Sequence, residues 1–285
     1  MKRKLIAPVL LGLALLPLTS RAAEFTPDES PVYKTIGETE LKLHVFKPKD
    51  DKAAEKRPAI VFFFGGGWAS GDPKQFYQQA DFFAKKGIVC FSAEYRVKSR
   101  NKTTPFEAVE DAKSAIRWVR AHAEEFGVDP DRIVASGGSA GGHIAGCTGV
   151  IKGLDNESED LSISSVPNAM MLYNPVLDTT DKGYGLKSVG QDRMTEISPT
   201  HHVHEGIAPT LLLHGTKDTT VPFENAERFA KLMKEAGNRC DLIPFPGEGH
   251  GFFNSPLFRP KTKDTKVYDK AMEDSVTFLQ SLGYL

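Results

Sequence analysis

Short apolar runs alternate with segments of helical spacing along the chain from residue 59 to its end. Ala59–Phe64 and Ile88–Glu94 are nearly unbroken apolar runs, which is typical of strands buried on both faces of a sheet. Between such runs, segments such as Pro105–Phe126 repeat apolar residues every three or four positions, begin with proline and are followed by glycine, as helices often are. The alternation predicts an α/β fold with a mostly parallel central sheet and helices on both faces.

The remaining elements continue this alternation after a predicted hairpin of Val32–Ile36 and Glu40–Phe46. Further strands are predicted at Arg132–Ser136, Ala169–Tyr173, Thr210–His214 and Asp241–Phe245. Further helices are predicted at Gln75–Lys86, Ala140–Ile151, Phe223–Ala236 and Lys266–Leu282. Residues 178–208 lack clear periodicity, and such a long excursion between sheet strands is expected to form part of a pocket.

The N-terminus has the composition of an export signal. A positively charged start precedes the apolar run Leu5–Leu18, and small residues lead to a predicted cleavage between Ala22 and Ala23. The apolar run is too short for a membrane-spanning helix, although an uncleaved anchor remains the alternative. We therefore predict a signal peptide at residues 1–22, a single domain at 23–285, a periplasmic or secreted location, and no stable membrane insertion after cleavage.

The overall composition is that of a globular protein without a polyanionic partner. Hydrophobic residues make up 40% of the chain, charged residues 26%, and the formal net charge is −1. Neither nucleic acid nor an anionic membrane is therefore expected as a partner. Cys90, Cys147 and Cys240 have no metal-binding spacing and are predicted to be buried thiols, with one disulfide left open as the alternative. No metal and no cofactor are predicted.

A serine lies between glycines where a predicted strand turns into a helix. Residues 137–141 read Gly-Gly-Ser-Ala-Gly, which matches G-x-S-x-G. Such a turn requires small residues around the serine and raises its hydroxyl above the sheet edge, where the helix start directs N–H groups. The motif predicts Ser139 as a nucleophile; the alternative is a glycine-rich helix start with Ser139 as the N-cap.

Three glycines follow the first buried strand, between Phe64 and Trp68. Glycine permits a positive φ and a close approach of the backbone to a ligand, so N–H groups of this loop can point at a developing negative charge. A flexible turn is the alternative, while phosphate binding is disfavoured because neither G-x-G-x-x-G nor G-x-x-x-x-G-K-[ST] is present. Trp68 either lines an acyl pocket or packs in the core.

Two more polar residues follow predicted strands, in an order that suggests a catalytic triad. Asp218 lies in the turn between Gly215 and Pro222, and His250 lies between glycines after the last strand. Ser–Asp–His is the order of triads built on open α/β sheets and differs from that of chymotrypsin or subtilisin. Because the carboxyl ends of parallel strands share one edge, we expect Ser139, Asp218 and His250 to meet there.

Three further segments are typical of one family: Ala93–Arg96, Ala112–Arg120 and Gly127–Ile133. With the motifs above, they make the chain resemble the α/β-hydrolase esterases with an HGGG-type oxyanion loop, and it is most similar to the bifunctional acetylxylan and feruloyl carboxylesterase type. The resemblance implies the α/β-hydrolase fold, with Ser139 as nucleophile, Asp218 as acid, His250 as base, and Gly66, Gly67 and Ala140 as oxyanion donors. Phe64 departs from the family, which often has His there.

The predicted function is that of an exported serine carboxylesterase acting on short-acyl or aryl esters. The resemblance implies acetyl or feruloyl esters, often on plant polysaccharides, as substrates. A prolyl-oligopeptidase-like peptidase shares the triad order but is disfavoured because those enzymes carry an additional propeller domain. A non-catalytic binding protein on the same scaffold is the alternative of a different class. The oligomeric state is not fixed by the sequence.

Other polar residues are expected to play lesser roles. Asp178 follows a strand and is a weaker alternative for the acid. His143 lies one helical turn after the serine and is expected to make a structural hydrogen bond. His201, His202 and His204 match no metal-binding spacing and are interpreted as part of a polar loop.

Overall fold

The structure, a computed structural model, describes most of the chain. It covers residues 25–49, 56–256, 258 and 265–285. The predicted signal peptide at residues 1–22 and its cleavage site before Ala23 lie outside the described residues. Within these ranges, no helix combines the length and the apolar composition that crossing a membrane requires.

Eight strands form one mostly parallel sheet. Their bounds are β1 Val32–Ile36, β2 Thr39–Phe46, β3 Arg57–Phe63, β4 Val89–Ala93, β5 Val128–Gly138, β6 Ala169–Tyr173, β7 Thr210–Gly215 and β8 Cys240–Phe245. Their spatial order is β1-β2-β4-β3-β5-β6-β7-β8. β1 pairs with β2 and β2 with β4 in antiparallel fashion, whereas all pairs from β4 to β8 are parallel. The predicted fold class is confirmed.

Helices cover both faces of the sheet. Their bounds are α1 Tyr77–Ala84, α2 Lys98–Asn101, α3 Pro105–Ala121, α4 Ala140–Val150, α5 Leu186–Val189, α6 Phe223–Glu235 and α7 Lys266–Ser281. Short 3₁₀ segments lie at Pro73–Phe76, Gln191–Arg193 and Pro199–His202. Buried residues of α3, α4 and α6 pack on one face of the sheet, and those of α1 and α7 on the other. The sheet therefore lies between two apolar cores.

The unbroken apolar run of β3 follows from this sandwiching. Ala59, Val61 and Phe63 belong to the core on one face, while Ile60 and Phe62 belong to the core on the other. All five are completely buried. Successive side chains of a strand point to opposite faces, so a strand covered on both sides has no polar position.

One predicted helix is shorter than expected. The pattern predicted a helix to Phe126, but α3 ends at Ala121 and a turn leads to Gly127, which has a φ of 64°. Phe126 is nevertheless buried, and it packs edge-on against Phe91 with ring centroids 5.4 Å apart. Apolar spacing therefore continued beyond the helix because the turn also covers the core.

The parallel register brings the carboxyl ends of the central strands to one edge. Phe63 of β3 pairs with Gly137, Gly138 pairs with Tyr173 of β6, and Gly215 of β7 pairs with Phe245 of β8. Consequently, the loops after β3, β5, β6, β7 and β8 all leave the sheet on the same side. Side chains that are far apart in sequence can meet there.

The three cysteines are free and buried. Cys90, Cys147 and Cys240 have no disulfide partner, which answers the alternative left open by the sequence. Burial raises the pKa of each of the three thiols. They serve as small apolar side chains of the two cores.

Candidate active site

Ser139 lies in the tight turn between β5 and α4. Its backbone has a φ of 57° and a ψ of −122°, which costs a non-glycine residue about 1–3 kcal/mol. The neighbouring positions have no room for side chains. A Cβ on Gly141 would lie 2.0 Å from the carbonyl oxygen of Phe63, and a Cβ on Gly138 would lie 2.2 Å from the ring of Phe253. The glycines thus allow the serine turn to pack directly against the end of β3 on one side and the ring of Phe253 on the other.

Ser139, His250 and Asp218 form one chain of hydrogen bonds between three loops. The Oγ of Ser139 lies 2.8 Å from Nε2 of His250, and Nδ1 of His250 lies 2.7 Å from Oδ2 of Asp218. A carboxylate can only accept, so the imidazole proton lies on Nδ1 and Nε2 accepts from the serine hydroxyl. The three residues that the sequence predicted as a site are therefore within hydrogen-bonding distance of one another.

Asp218 has a buried carboxylate held by backbone and histidine donors. Oδ1 accepts hydrogen bonds from the N–H groups of Thr220, at 2.8 Å, and Val221, at 2.9 Å. Oδ2 faces His250 and also lies 3.2 Å from Nε2 of His214. Burial acts to raise the pKa of this carboxyl, but the hydrogen bonds from His214, His250 and Val221 outweigh it and hold the pKa well below its usual range. The group is therefore ionised and can stabilise a neighbouring imidazolium.

His214 was not predicted as part of the site. It is fully buried on β7, and its Nε2 lies 3.0 Å from the carbonyl oxygen of Val221 as well as close to Asp218. A proton on Nε2 serves both acceptors, and Nδ1 has no partner in the part of the chain that the structure describes. The sequence signal that could have identified His214 was a polar residue at the end of an apolar strand, four positions before Asp218.

The glycine loop after β3 offers backbone donors beside the serine turn. Gly65 donates its N–H to Oε1 of Gln75 at 2.6 Å. Gly66 and Gly67 have φ values of 134° and 62°, and neither donates its N–H to another described residue. Ala140 is the first residue of α4, where an N–H has no partner within the helix. These groups are the ones that the resemblance implied as oxyanion donors.

The loop is braced without the histidine that the resembling family often has. The carbonyl oxygen of Phe64 accepts a hydrogen bond from the Tyr95 hydroxyl at 2.7 Å, and the two rings stack with centroids 4.1 Å apart. On the other side, Nε2 of Gln75 donates to Oδ1 of Asn254 at 2.7 Å. Since Asn254 belongs to the loop that carries His250, the same glutamine connects the two loops.

Trp68 lies beneath the glycine loop rather than on the surface. It is 2% exposed and meets the ring of His143 edge-on at 4.9 Å. Tyr184, which was not predicted, lies 5.9 Å from the Trp68 ring, and its hydroxyl would be 2.9 Å from a Cβ on Gly67. A Cβ on Gly185 would be 2.5 Å from the Trp68 ring. Tyr184 and Gly185, within the segment 178–208, thus pack closely on the loop. The pocket role of Trp68 stays a prediction.

Asn174 is another residue that contacts the site without having been predicted. It directly follows β6, is completely buried and has a φ of 34°. Its Nδ2 lies 3.2 Å from Nδ1 and 3.4 Å from Nε2 of His250. Its Oδ1 is buried and has no hydrogen-bond partner among the described residues. A polar residue at the end of a buried strand was the signal for it.

The other polar residues considered from the sequence are engaged elsewhere. Nε2 of His143 donates to the carbonyl oxygen of Ile197 at 2.6 Å, and burial lowers the pKa of this imidazole to about 4. Asp178 is buried and forms an ion pair with Arg228. The histidines at 201–204 bond within their own segment. Across the described ranges, no three His, Cys, Asp or Glu side chains are grouped so as to hold a metal ion.

Solved structures of an esterase match nearly the whole chain. Esterase 2 of Thermogutta terrifontis is 48% identical, with a TM-score of 0.86, over 92% of this chain and 97% of that one. Other structures of that esterase hold propionate or butyrate, or are phosphorylated by paraoxon.

Curated relatives and a family profile agree with this likeness. Esterase LipC of Mycobacterium tuberculosis is 28% identical over 74% of this chain and 56% of its own length. An acetylxylan esterase of Xylanibacter ruminicola is 26% identical over 99% of this chain and 55% of its own length, so the chain spans little more than half of these two relatives. The BD-FAE family profile matches residues 43–233, more than half of the chain. The chain therefore belongs to the BD-FAE family and has the α/β-hydrolase fold of the esterases that it matches.

Proposed function

We propose that this protein is an exported serine carboxylesterase that hydrolyses short-acyl or aryl esters. The observation that carries the proposal is the hydrogen-bonded chain from Asp218 through His250 to Ser139. It lies at the sheet edge where the glycine loop presents N–H groups that have no acceptor in the described part of the chain. The esterase names of the relatives support the same chemistry.

In the acylation step, Oγ of Ser139 attacks the ester carbonyl carbon while Nε2 of His250 takes the hydroxyl proton. The imidazolium that forms donates from both nitrogens, one toward Asp218 and one toward the substrate. Because its pKa is low, Asp218 stays ionised during this step, and its carboxylate stabilises the His250 imidazolium by charge alone. His250 then gives its proton to the alkoxy oxygen as the C–O bond breaks. The alcohol leaves, and the acyl group stays on Ser139.

Deacylation repeats these steps with water in place of the serine. His250 removes a proton from water, the resulting hydroxide attacks the acyl carbon, and the bond to Oγ breaks. The imidazolium returns its proton to Ser139, and the carboxylic acid leaves. His250 must therefore be neutral at the start of both acylation and deacylation.

The oxyanion of each tetrahedral intermediate is assigned to the N–H groups of Gly66, Gly67 and Ala140. Two of these groups have no other acceptor among the described residues, and the third lies at the positive end of α4. Donors fixed in this way cost no reorganisation when charge develops. The loss of one such donor typically lowers kcat by about a hundred- to a thousandfold.

The preference for short acyl groups is assigned to Tyr184. Its hydroxyl lies so close to the glycine loop that even a methyl group on Gly67 would be 2.9 Å from it. The tyrosine is held by its N–H, which donates to the carbonyl oxygen of Asp178 at 2.9 Å, and by the packing of Gly185 against Trp68. Space beside the carbonyl of a bound ester is therefore limited on this side. The propionate and butyrate held by the solved relative support short acyl groups.

Acetyl and feruloyl esters on plant polysaccharides are the proposed natural substrates, and the limited space beside Tyr184 favours acetyl over the larger feruloyl group. The support is the BD-FAE family profile and the name of one relative, an acetylxylan esterase. Rates on acetylated xylan, methyl ferulate and p-nitrophenyl acetate would rank these classes. Activity on the small aryl ester alone would contradict the polysaccharide part of the proposal while leaving the esterase part intact.

Replacing Ser139 by Ala tests the proposed reaction directly. The variant is expected to lose p-nitrophenyl acetate hydrolysis, whereas Ser162→Ala, at an exposed serine, should retain it. Since a solved relative is phosphorylated by paraoxon, mass spectrometry of the paraoxon-treated protein should locate a diethylphosphoryl group on the Ser139 peptide. Hydrolysis by Ser139→Ala at the wild-type rate, or a phosphoryl group elsewhere, would overturn the assignment. The absence of hydrolysis of any ester would favour a binding protein.

Export is proposed from the composition of residues 1–22. A positively charged start, a short apolar run and small residues before Ala23 are the parts of a cleavable signal. The chain expressed in a bacterial host should appear outside the cytoplasm with Ala23 as its first residue. N-terminal sequencing that finds residues 1–22 still attached would contradict cleavage.

A further inference from the structure

We propose that Asn174 is a positioning residue for His250, holding the imidazole by its face and keeping it in the neutral form that accepts a proton. The inference rests on the proposed function, in which His250 is the base. Asn174 directly follows β6, at the same edge of the sheet as the loops that carry Ser139 and Asp218. It contacts the imidazole of His250, and no step of the proposed reaction is assigned to it.

The amide lies across the face of the imidazole rather than in its plane. In the plane, Nδ1 is occupied by Asp218 and Nε2 by Ser139. The Nδ2 of Asn174 is almost equally far from both ring nitrogens, at 3.2 and 3.4 Å. An atom in the ring plane at those distances would overlap the carbon between the nitrogens. The amide N–H therefore points at the π face, which is a weak attractive contact for a neutral ring.

Asn174 is kept in a conformation that the fold alone does not favour. It is completely buried with a φ of 34°, which non-glycine residues rarely adopt. Its Oδ1 is buried without a partner among the described residues, and an unpaired buried acceptor destabilises a fold. Glycine would remove both disadvantages. Features of this kind persist where function requires them.

The direction of the electrostatic effect follows from the donor. The positive end of the amide N–H faces a ring that becomes a cation during the reaction, so it disfavours the imidazolium. Among the residues that the structure describes, the charged group that contacts the ring is the carboxylate of Asp218, which favours the imidazolium and is itself held by His214. Ser139 contributes an uncharged hydroxyl. Asn174 thus opposes Asp218 in its effect on the charge of the ring.

The test compares the pH profiles of kcat/KM for Asn174→Gly and the wild-type enzyme, with p-nitrophenyl acetate between about pH 5 and 8. We expect the acid limb of the variant to move to higher pH by about half a unit or more, so that its activity falls most near the acid end. Thermal unfolding should show the variant to be as stable as the wild type or more stable. Asn225→Ala is the matched control, because Asn225 is also buried and its Nδ2 also has no partner among the described residues, but it lies against Arg228.

Each outcome bears on a different claim. An unchanged or lower acid limb in Asn174→Gly would overturn the positioning role, whether or not stability changed. A shift of the same size in Asn225→Ala would also overturn it, because the effect would then come from loosening of the fold. An active Ser139→Ala enzyme would instead reject the proposed function on which the inference rests. A shift confined to the Asn174 variant would support the proposal.

Discussion

Replacing Asp218 by Asn is expected to remove almost all ester hydrolysis while leaving the fold intact. The N–H groups of Thr220 and Val221 donate to Oδ1 at 2.8 and 2.9 Å, so the amide oxygen of the variant will occupy that position. The amide NH₂ must then face the imidazole of His250, where Oδ2 now accepts. The substitution changes neither the size nor the shape of the side chain.

This orientation inverts the tautomer of His250. Its Nδ1 must accept from the new amide, so the ring proton moves to Nε2, the atom 2.8 Å from Oγ of Ser139. A protonated Nε2 cannot take the serine proton. Triads with the wrong tautomer lose about ten-thousandfold in kcat. At 1.36 kcal/mol for each factor of ten, the loss corresponds to about 5.4 kcal/mol of transition-state stabilisation.

The assay is kcat for p-nitrophenyl acetate at neutral pH, with circular dichroism and thermal unfolding to check the fold. Asp155→Asn is the control, because Asp155 accepts charged hydrogen bonds from Arg117 and Lys113 on α3, and none of its hydrogen bonds to described residues reaches the candidate site. This control should retain the wild-type kcat. A folded Asp218→Asn enzyme with more than about a tenth of the wild-type kcat would refute the tautomer argument.

Two further predictions follow from the packing around the site. Tyr184→Ala should raise the ratio of kcat/KM for p-nitrophenyl hexanoate to kcat/KM for p-nitrophenyl acetate by about tenfold or more. Tyr184→Phe keeps the ring and should leave this ratio unchanged. An unchanged ratio in both variants would contradict the proposal that the Tyr184 ring limits the length of the acyl group. His143 is buried with its pKa lowered from 6.5 to about 4, so the unfolded chain takes up its proton first as the pH falls. Its contribution to stability is complete above about pH 6.5 and declines by about 3 kcal/mol toward about pH 4. Urea unfolding of His143→Gln across this range should show a correspondingly flatter pH dependence, and curves parallel to those of the wild type would contradict the assignment.

Most of the fold could be predicted because both faces of the sheet are covered. Burial on two sides makes strands such as β3 and β4 continuous apolar runs, and the same core imposes helical spacing on α3 and α6. The prediction failed where burial did not require regular structure. Phe126 continues the apolar pattern of α3 but lies in the turn after it. Residues 178–208 contain α5 and two 3₁₀ segments that are too short to leave a periodic signal.

Of the candidate site, the sequence predicted only residues with their own local motif. Ser139, Asp218 and His250 each stand among glycines or a proline after a strand, and the parallel topology places such loops at one edge. Asn174 and Tyr184 have no such motif, since their contacts come from the tertiary structure. Asn174 meets a histidine 76 positions away, and Tyr184 reaches the glycine loop from a segment without periodicity. In the sequence, His214 is only a polar residue at the end of an apolar strand. Its role comes from its contact with the buried carboxylate of Asp218, which the sequence does not reveal.

The free thiols of Cys90, Cys147 and Cys240 have a consequence for biogenesis. All three are sealed inside the two cores, so the native covalent framework contains no sulfur–sulfur link. Folding after export would then require no thiol oxidase or disulfide isomerase, and the folding rate would not be limited by thiol–disulfide exchange. Reductants should neither weaken the native enzyme nor hinder its renaturation, which lets the same polypeptide mature in reducing or oxidising surroundings.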